Sequence, residues 1–287
     1  MVDSDIHATG DYGYDPTIAE DIPLKPVPAA PTAYPPTTTV NQQYLPPVGQ
    51  QTTPSCFVWS STYCATTFAA ALSNGTDPTS ADGQASPIYT YIKVEEQQGV
   101  ANNTCNGGKI AWCFEYLYGN GGTASMAQAE NLTGCSAAWS AWGTPTVSPN
   151  WQFQVMQYQG TPLKGPDGLN NMRNLIWMNT TIVYGTSLYT DFSTYDGSPV
   201  PYVGNGIIAI NKKTGKPVGH CMVIIGYDDN CGPHGAVLIQ NSFGQNWGSV
   251  WAPANTGGYV WMDYNTFQAL AQGGGYYITL MQDKAPQ

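Results

Sequence analysis

The chain has 287 residues and a formal net charge of −10, and only 10% of its residues are Asp, Glu, Lys or Arg, against roughly 25% in an ordinary globular chain. Nine cationic side chains are too few to neutralise a run of phosphates, so the composition argues against a nucleic-acid binder and against a polybasic membrane anchor. Disorder does not explain the low charge, because 42% of the residues are hydrophobic and 12% aromatic, enough to build a core.

No stretch approaches the roughly 18 apolar residues of a membrane span. The start, Met1-Val2-Asp3-Ser4-Asp5, lacks the basic and apolar regions of a signal peptide. An uncharged surface rich in Tyr, Thr and Asn nevertheless points to a secreted or extracytoplasmic protein. A monomer without membrane or nucleic-acid partners is expected. Seven Cys leave at least one thiol without an intramolecular partner.

Residues 1–22 carry six carboxylates and no cation, and residues 23–36 carry six Pro. Such a run favours extended chain over helix or sheet. Residues 1–40 therefore read as an extension outside the fold, either a solvated tail or a short segment laid over the active site. Residues 56–73 read as a buried helix closed by Asn74-Gly75, and 109–118 as a second, closed by Gly119-Asn120-Gly121-Gly122. After about residue 180 the texture changes to short β-branched runs at 181–184, 206–210, 222–225, 236–239, 259–262 and 276–280. A mainly helical part (41–150) thus precedes a β-rich part (151–287), which makes the fold class α+β.

The three His make the search for a base short. His7 lies in the acidic extension and His234 in a Gly-Pro-His-Gly turn, whereas His220 opens the apolar run 221–226. Cys56 stands at the head of the first helix, behind Pro54-Ser55. There the helix dipole and unpaired N–H groups favour thiolate, with Ser55 a fair N-cap. Asn241 follows His220 by 21 residues and is in turn followed by Phe243 and Trp247. Its amide oxygen suits an imidazole N–H, which gives a nucleophile, a base and an orienting group. Gln50, six residues before Cys56, offers an NH₂ to an oxyanion, with Gln51 the lesser candidate; the Cys56 N–H is the second donor.

Four segments in this order resemble the papain family of cysteine peptidases. They are Gln50-Gln51-Thr52-Thr53-Pro54-Ser55-Cys56-Phe57-Val58-Trp59-Ser60, Cys105-Asn106-Gly107-Gly108, Gly219-His220 leading into 223–227, and Asn241-Ser242-Phe243-Gly244 with Trp247-Gly248 and Gly258-Tyr259. The resemblance spans about 44–280. It implies a two-lobe fold, with a helical lobe, an antiparallel β-barrel-like lobe and a cleft between them. It implies Cys56 as nucleophile, His220 as general acid/base, Asn241 as orienter and Gln50 as oxyanion donor. Gly107 and Gly108 then pair with an extended substrate. Lys109, Ile110, Val218 and Gly219 lie near the pocket for the second residue before the scissile bond. Trp247 covers the Asn–His bond and flanks the leaving-group side. The expected activity is peptide-bond hydrolysis by an endopeptidase, with a peptide or protein substrate, no cofactor and no metal.

The departures are specific. Phe57 and Phe243 stand where the family has Trp, and Thr53 stands where it often has the disulfide partner of Cys105. Disulfides remain expected, with their pairing open. Residues 249–257 read as an inserted surface loop. The family's long charged pro-region is replaced by residues 1–40, which keep the enzyme latent if they cross the cleft. The alternatives are a catalytically silent binding protein on the same scaffold, and a Cys/His amidase or transpeptidase.

Overall fold

The computed structural model describes residues 6, 10–28, 33–100, 106–132, 146–165 and 167–283. Five helices accompany eight strands among these residues. The first helix, α1, is continuous through Cys56–Val58, Trp59–Thr66 and Thr67–Asn74, and its middle part is wound in wide π turns. The residues there explain the widening. The hydroxyl of Ser60 donates to the carbonyl of Cys56 at 2.8 Å and that of Thr66 to Ser61 at 2.8 Å, so side chains compete for the ladder acceptors. Gly75, at φ 68°, ends the helix in the left-handed conformation that spares a glycine any Cβ clash. Most of α1 is buried, which fixes the position of its head.

Helices α2 (Pro87–Gln97) and α3 (Ile110–Gly119) pack together beside α1. The start of α2 follows from Ser86-Pro87: the Ser86 hydroxyl accepts the Tyr89 N–H at 3.2 Å, and Pro87 has no N–H to leave unpaired. Two further helices, α4 (Gly168–Trp177) and α5 (Tyr264–Leu270), lie in the second half.

The strands are β1 (Thr37–Thr39), β2 (Val155–Pro162), β3 (Ile182–Ser187), β4 (Gly219–Asp228), β5 (Ala236–Gln240), β6 (Ser249–Trp251), β7 (Thr256–Asp263) and β8 (Ala271–Met281). They form one antiparallel sheet in the order β2-β8-β3-β4-β5-β7-β6, with β1 added on β4. The expected barrel-like lobe is thus an open sheet, because β2 and β6 end it without pairing to each other. Central β4 is buried along nearly its whole length, as covered strands are. The helix α1 packs across it, which brings residues far apart in sequence to one seam.

Three other expectations need correction. Residues 206–210 are not a sheet strand; Ile208 and Ile210 make only isolated bridges to Tyr189 and Pro217. Gly204 and Gly206, at φ 70° and 75°, turn the chain immediately before and within that run. Residues 249–257 are not a plain loop, because β6 and the start of β7 form a hairpin that buries Trp251. The described residues of 1–40 are not an extension outside the fold. Tyr12, Tyr14, Ile22, Val27 and Val40 are buried, and Thr37–Thr39 pairs with Gly226–Asp228. The aromatic and β-branched residues dispersed among the Pro and Asp supply the apolar surface that holds this segment down.

No disulfide occurs among the described residues. Cys56, Cys64, Cys113, Cys221 and Cys231 are free thiols, and Cys105 and Cys135 lie outside the described residues, as does His7. No helix among the described residues is long and apolar enough to cross a membrane.

Candidate active site

Cys56 opens α1 and is fully buried. Ser55 does not cap it; the Ser55 hydroxyl turns back to the Thr53 carbonyl at 3.2 Å. The Cys56 N–H is therefore left for another acceptor, as helix-terminal N–H groups are. That acceptor is the carbonyl oxygen of Tyr12, at 3.0 Å.

His220 and Asn241 meet across the seam. The imidazole Nε2 lies 2.7 Å from Asn241 Oδ1, and the same oxygen accepts the Ser242 N–H at 2.7 Å. An amide oxygen only accepts, so Nε2 carries the proton in this pair. The other ring nitrogen, Nδ1, is buried with no hydrogen-bond partner among the described residues. Burial pushes the Cys56 thiol up, but the neighbouring Cys221 and His220 side chains outweigh it and hold the thiol below its ordinary value. Burial and the neighbouring Cys56 push Cys221 the other way. The two thiols are thereby shifted in opposite directions.

Phe243 lies against the imidazole, with ring centres 4.7 Å apart and planes at 27°. Trp247 stands edge-on to Phe243 at 5.5 Å and donates its indole N–H to Phe192. Phe243, rather than Trp247, is thus the ring directly over the imidazole.

The two glutamines separate by direction. Gln51 is buried, and its Nε2 donates to the Tyr12 carbonyl at 3.1 Å, beside the Cys56 N–H. Ser242 fixes that amide by donating to Gln51 Oε1 at 2.6 Å. Gln50 is exposed, bridges Phe243 through its backbone and lies against Gly244. Consecutive residues of extended chain point to opposite faces, so only one of the pair reaches the thiol side.

The segment from Gly10 to Pro28 runs along this seam as a strap. Gly108 N–H donates to the Gly13 carbonyl at 2.9 Å, and Tyr14 bridges Gly219. Gly13 holds φ 99°, and a Cβ there would lie 2.2 Å from the Pro54 backbone, so only glycine fits. A Cβ on Gly107 would strike Gly13 at 2.5 Å. The Tyr14 ring fills the space left by Gly185, where a Cβ would come within 2.3 Å of it. Val218 lies against Gly10. The Glu20 carboxylate accepts the first N–H groups of α3, from Ile110 at 3.0 Å and Ala111 at 2.9 Å, and Lys109 pairs with Asp21 at 2.8 Å. Every substrate-side residue named from the sequence before Trp247 thus lies against or beside the strap.

Sequence reasoning did not single out Tyr12, Tyr14 or Cys221, and it read Gly185 only as part of a weaker family echo, Val183-Tyr184-Gly185. A glycine inside the β-branched run Ile182-Val183-Tyr184-Gly185 was the available signal for Gly185.

The fold is that of papain-like cysteine proteases. Xylellain, a cysteine protease from Xylella fastidiosa, is similar with a TM-score of 0.66 and 19% identity, over 95% of this chain and 97% of that one. Digestive procathepsin L 3 of Tenebrio molitor larval midgut gives 0.64 and 17%, over 97% and 79%. Procathepsin B S9 from Trypanosoma congolense gives 0.64 and 12%, over 95% and 88%. No family model and no curated protein matches the sequence.

Proposed function

We propose that the protein is a cysteine peptidase that is latent under its own strap. Cys56 thiolate attacks a peptide carbonyl carbon, forming the C–S bond of an acyl-enzyme. The negative oxygen is held by the Cys56 N–H and the Gln51 side-chain NH₂, so Gln51 takes the role first expected of Gln50. His220 protonates the leaving amine as the C–N bond breaks. It then takes a proton from water, which releases the acid and restores the thiol. Asn241 holds the imidazole with Nδ1 towards the sulfur.

The observation that carries this reading is the Tyr12 carbonyl. Its oxygen receives the Cys56 N–H at 3.0 Å and the Gln51 Nε2 at 3.1 Å, the pair of donors that acyl transfer requires. The strap occupies that place without being a competent substrate. By resemblance, Gly107–Ile110 face residues before the scissile bond, yet Gly108 binds Gly13, which follows Tyr12. The strap therefore runs with the opposite polarity, and the amide nitrogen after Tyr12 sits away from the leaving-group side.

Hydrolysis of a fluorogenic peptide by the full-length protein tests this. Gly13→Ala forces the strap away from Pro54 and raises the rate, and Cys56→Ala in the same chain abolishes it. A Gly13→Ala protein that alkylates at Cys56 but cuts no peptide would sink the peptidase reading.

A further inference from the structure

The strap's charges are matched to the cleft one by one. All four carboxylates between residues 10 and 28 are engaged there. Asp11 pairs with Lys213 at 3.2 Å, Asp15 with Lys216 at 2.8 Å and Asp21 with Lys109 at 2.8 Å. Glu20 sits with one oxygen on each of two backbone N–H groups of α3. Burial outweighs the Ala111 and Ile110 N–H groups and raises the Glu20 carboxyl, so the charge matching is carried by Asp11, Asp15 and Asp21.

The body of the protein supplies no replacement. Among the described residues after Pro28, no carboxylate lies within ion-pair distance of Lys109, Lys213 or Lys216. Yet these are three of only eight lysines in the chain. A protein so sparing of charge places three lysines, and an uncapped helix start, on the two rims of one cleft. Between the rims the strap places aromatic rings: Tyr14 against Gly185, and Tyr12 against His220 and Phe243, at 5.1 and 4.9 Å.

We infer that the cleft is built for anionic peptides. It takes an aromatic side chain in the space beside Gly185, with carboxylates on Lys213 and Lys216 at one rim and on Lys109 across the cleft. The substrate class is then peptides in which Asp or Glu flank Tyr or Phe, a class that a strap of Asp and Tyr imitates. This rests on the peptidase reading for its consequence in turnover, but not for binding. Complementary charge of this kind sets partner choice and is weakened by salt.

The test uses the full-length chain carrying Gly13→Ala and Cys56→Ala, and labelled peptides Glu-Tyr-Gly-Tyr-Glu and Gln-Tyr-Gly-Tyr-Gln, followed by fluorescence anisotropy. Alkylation of Cys56 in the Gly13→Ala chain reports that the cleft is open; where it is silent, Tyr14→Ala and Glu20→Ala are added to open it. The acidic peptide is expected to bind roughly tenfold tighter at low salt, the yield of two or three partly exposed ion pairs. That gap narrows in 0.5 M salt, near the Debye limit of a few ångströms. It also narrows with Lys213→Gln or Lys216→Gln, the partners of the two carboxylates that flank Tyr12-Gly13-Tyr14 in the strap. Equal binding of the two peptides, binding of neither to an open cleft, or a gap untouched by both lysine changes overturns the inference. Acidic-peptide binding without turnover by the Cys56 form instead removes the peptidase reading and leaves the anionic cleft standing.

Discussion

The carbonyl oxygen of Tyr12 accepts the backbone N–H of Cys56 at 3.0 Å. This one bond joins the acidic N-terminal segment to a fully buried helix start. It supplies an acceptor that Ser55 does not, and it places strap backbone on the atoms that acyl transfer would use. A group that satisfies a helix start and a group that blocks it are here the same group.

Gln51 and Gln50 differ sharply in consequence. Gln51→Ala should cost roughly 10² to 10³ in kcat for peptide hydrolysis by the Gly13→Ala chain, the usual loss for one oxyanion donor. Gln50→Ala should leave kcat within about threefold, because its side chain is exposed on the other face. Steady-state kinetics on the two variants checks the pair, and the reverse ranking would restore Gln50.

The thiol carries a pH signature. Cys56 is held below its ordinary value, so thiolate persists as pH falls below roughly 8.5 and is lost only through the lowered value. In the Gly13→Ala chain the iodoacetamide rate should therefore stay high at pH 7, and His220→Ala should move its midpoint upward. Asn241→Ala, which frees the imidazole, should reduce peptide hydrolysis on the order of 10²-fold. A midpoint that stays at the free-thiol value in the parent chain contradicts the geometry.

Two strap carboxylates respond to acid in opposite directions. Burial raises Asp15, but the Lys216 and Thr17 hydrogen bonds outweigh it, and the carboxyl lies below the usual range. Its contribution to docking is present above the ordinary carboxylate value and disappears as pH falls through the lowered one. Glu20 is raised, mainly by burial, so its contribution is greatest in acid and declines as pH rises through the raised value. Asp15→Asn should accelerate Cys56 alkylation at pH 7 by up to about fivefold, within the range of a partly exposed ion pair. The difference from the parent chain should vanish below the Asp15 range. Alkylation at matched pH values measures both.

Glu95 sets a slope in overall stability. It is fully buried in α2, neither oxygen has a hydrogen-bond partner, and burial pushes its carboxyl up to about 8. The folded chain thus binds a proton that the unfolded chain has already lost. Stability is fully present below the ordinary carboxylate value and declines as pH rises towards 8. Glu95→Gln should flatten that slope and raise the denaturant midpoint at pH 8. Unfolding curves at pH 5 and 8 decide it, and an unchanged difference between them would show that Glu95 is ionised in the fold.

The seam was legible in the sequence because its chemistry depends on types and order. A thiol at a helix start, a His opening an apolar strand, and an amide followed by aromatics are local patterns, and the structure brings them to one place. Gln51 was harder: in a Gln-Gln pair the choice is a matter of which face extended backbone presents, and one residue of register reverses it. The missed helix α4 had a signal in Met172, Leu175 and Ile176, which are buried at helical spacing. The run 206–210 failed the other way, since β-branched residues satisfied strand propensity while its neighbouring glycines turned the chain out of the sheet. The strap had no periodicity at all. Its residues are held by the body, through Asn171 to Val27 and Asn174 to Pro28, and such contacts are invisible in a Pro-rich stretch read alone.

The small strand β1 bears on where this chain may safely be shortened. Pro35 and Pro36 accept hydrogen bonds from Tyr227 and Asp229, Thr37–Thr39 extends the sheet, and Val40 is 1% exposed. A cut at residue 41 would peel a strand from β4 and uncover apolar surface, so a shortened protein that aggregates would say nothing about latency. The strap and the sheet meet upstream of Pro35, and a useful excision ends there, leaving the edge of β4 covered.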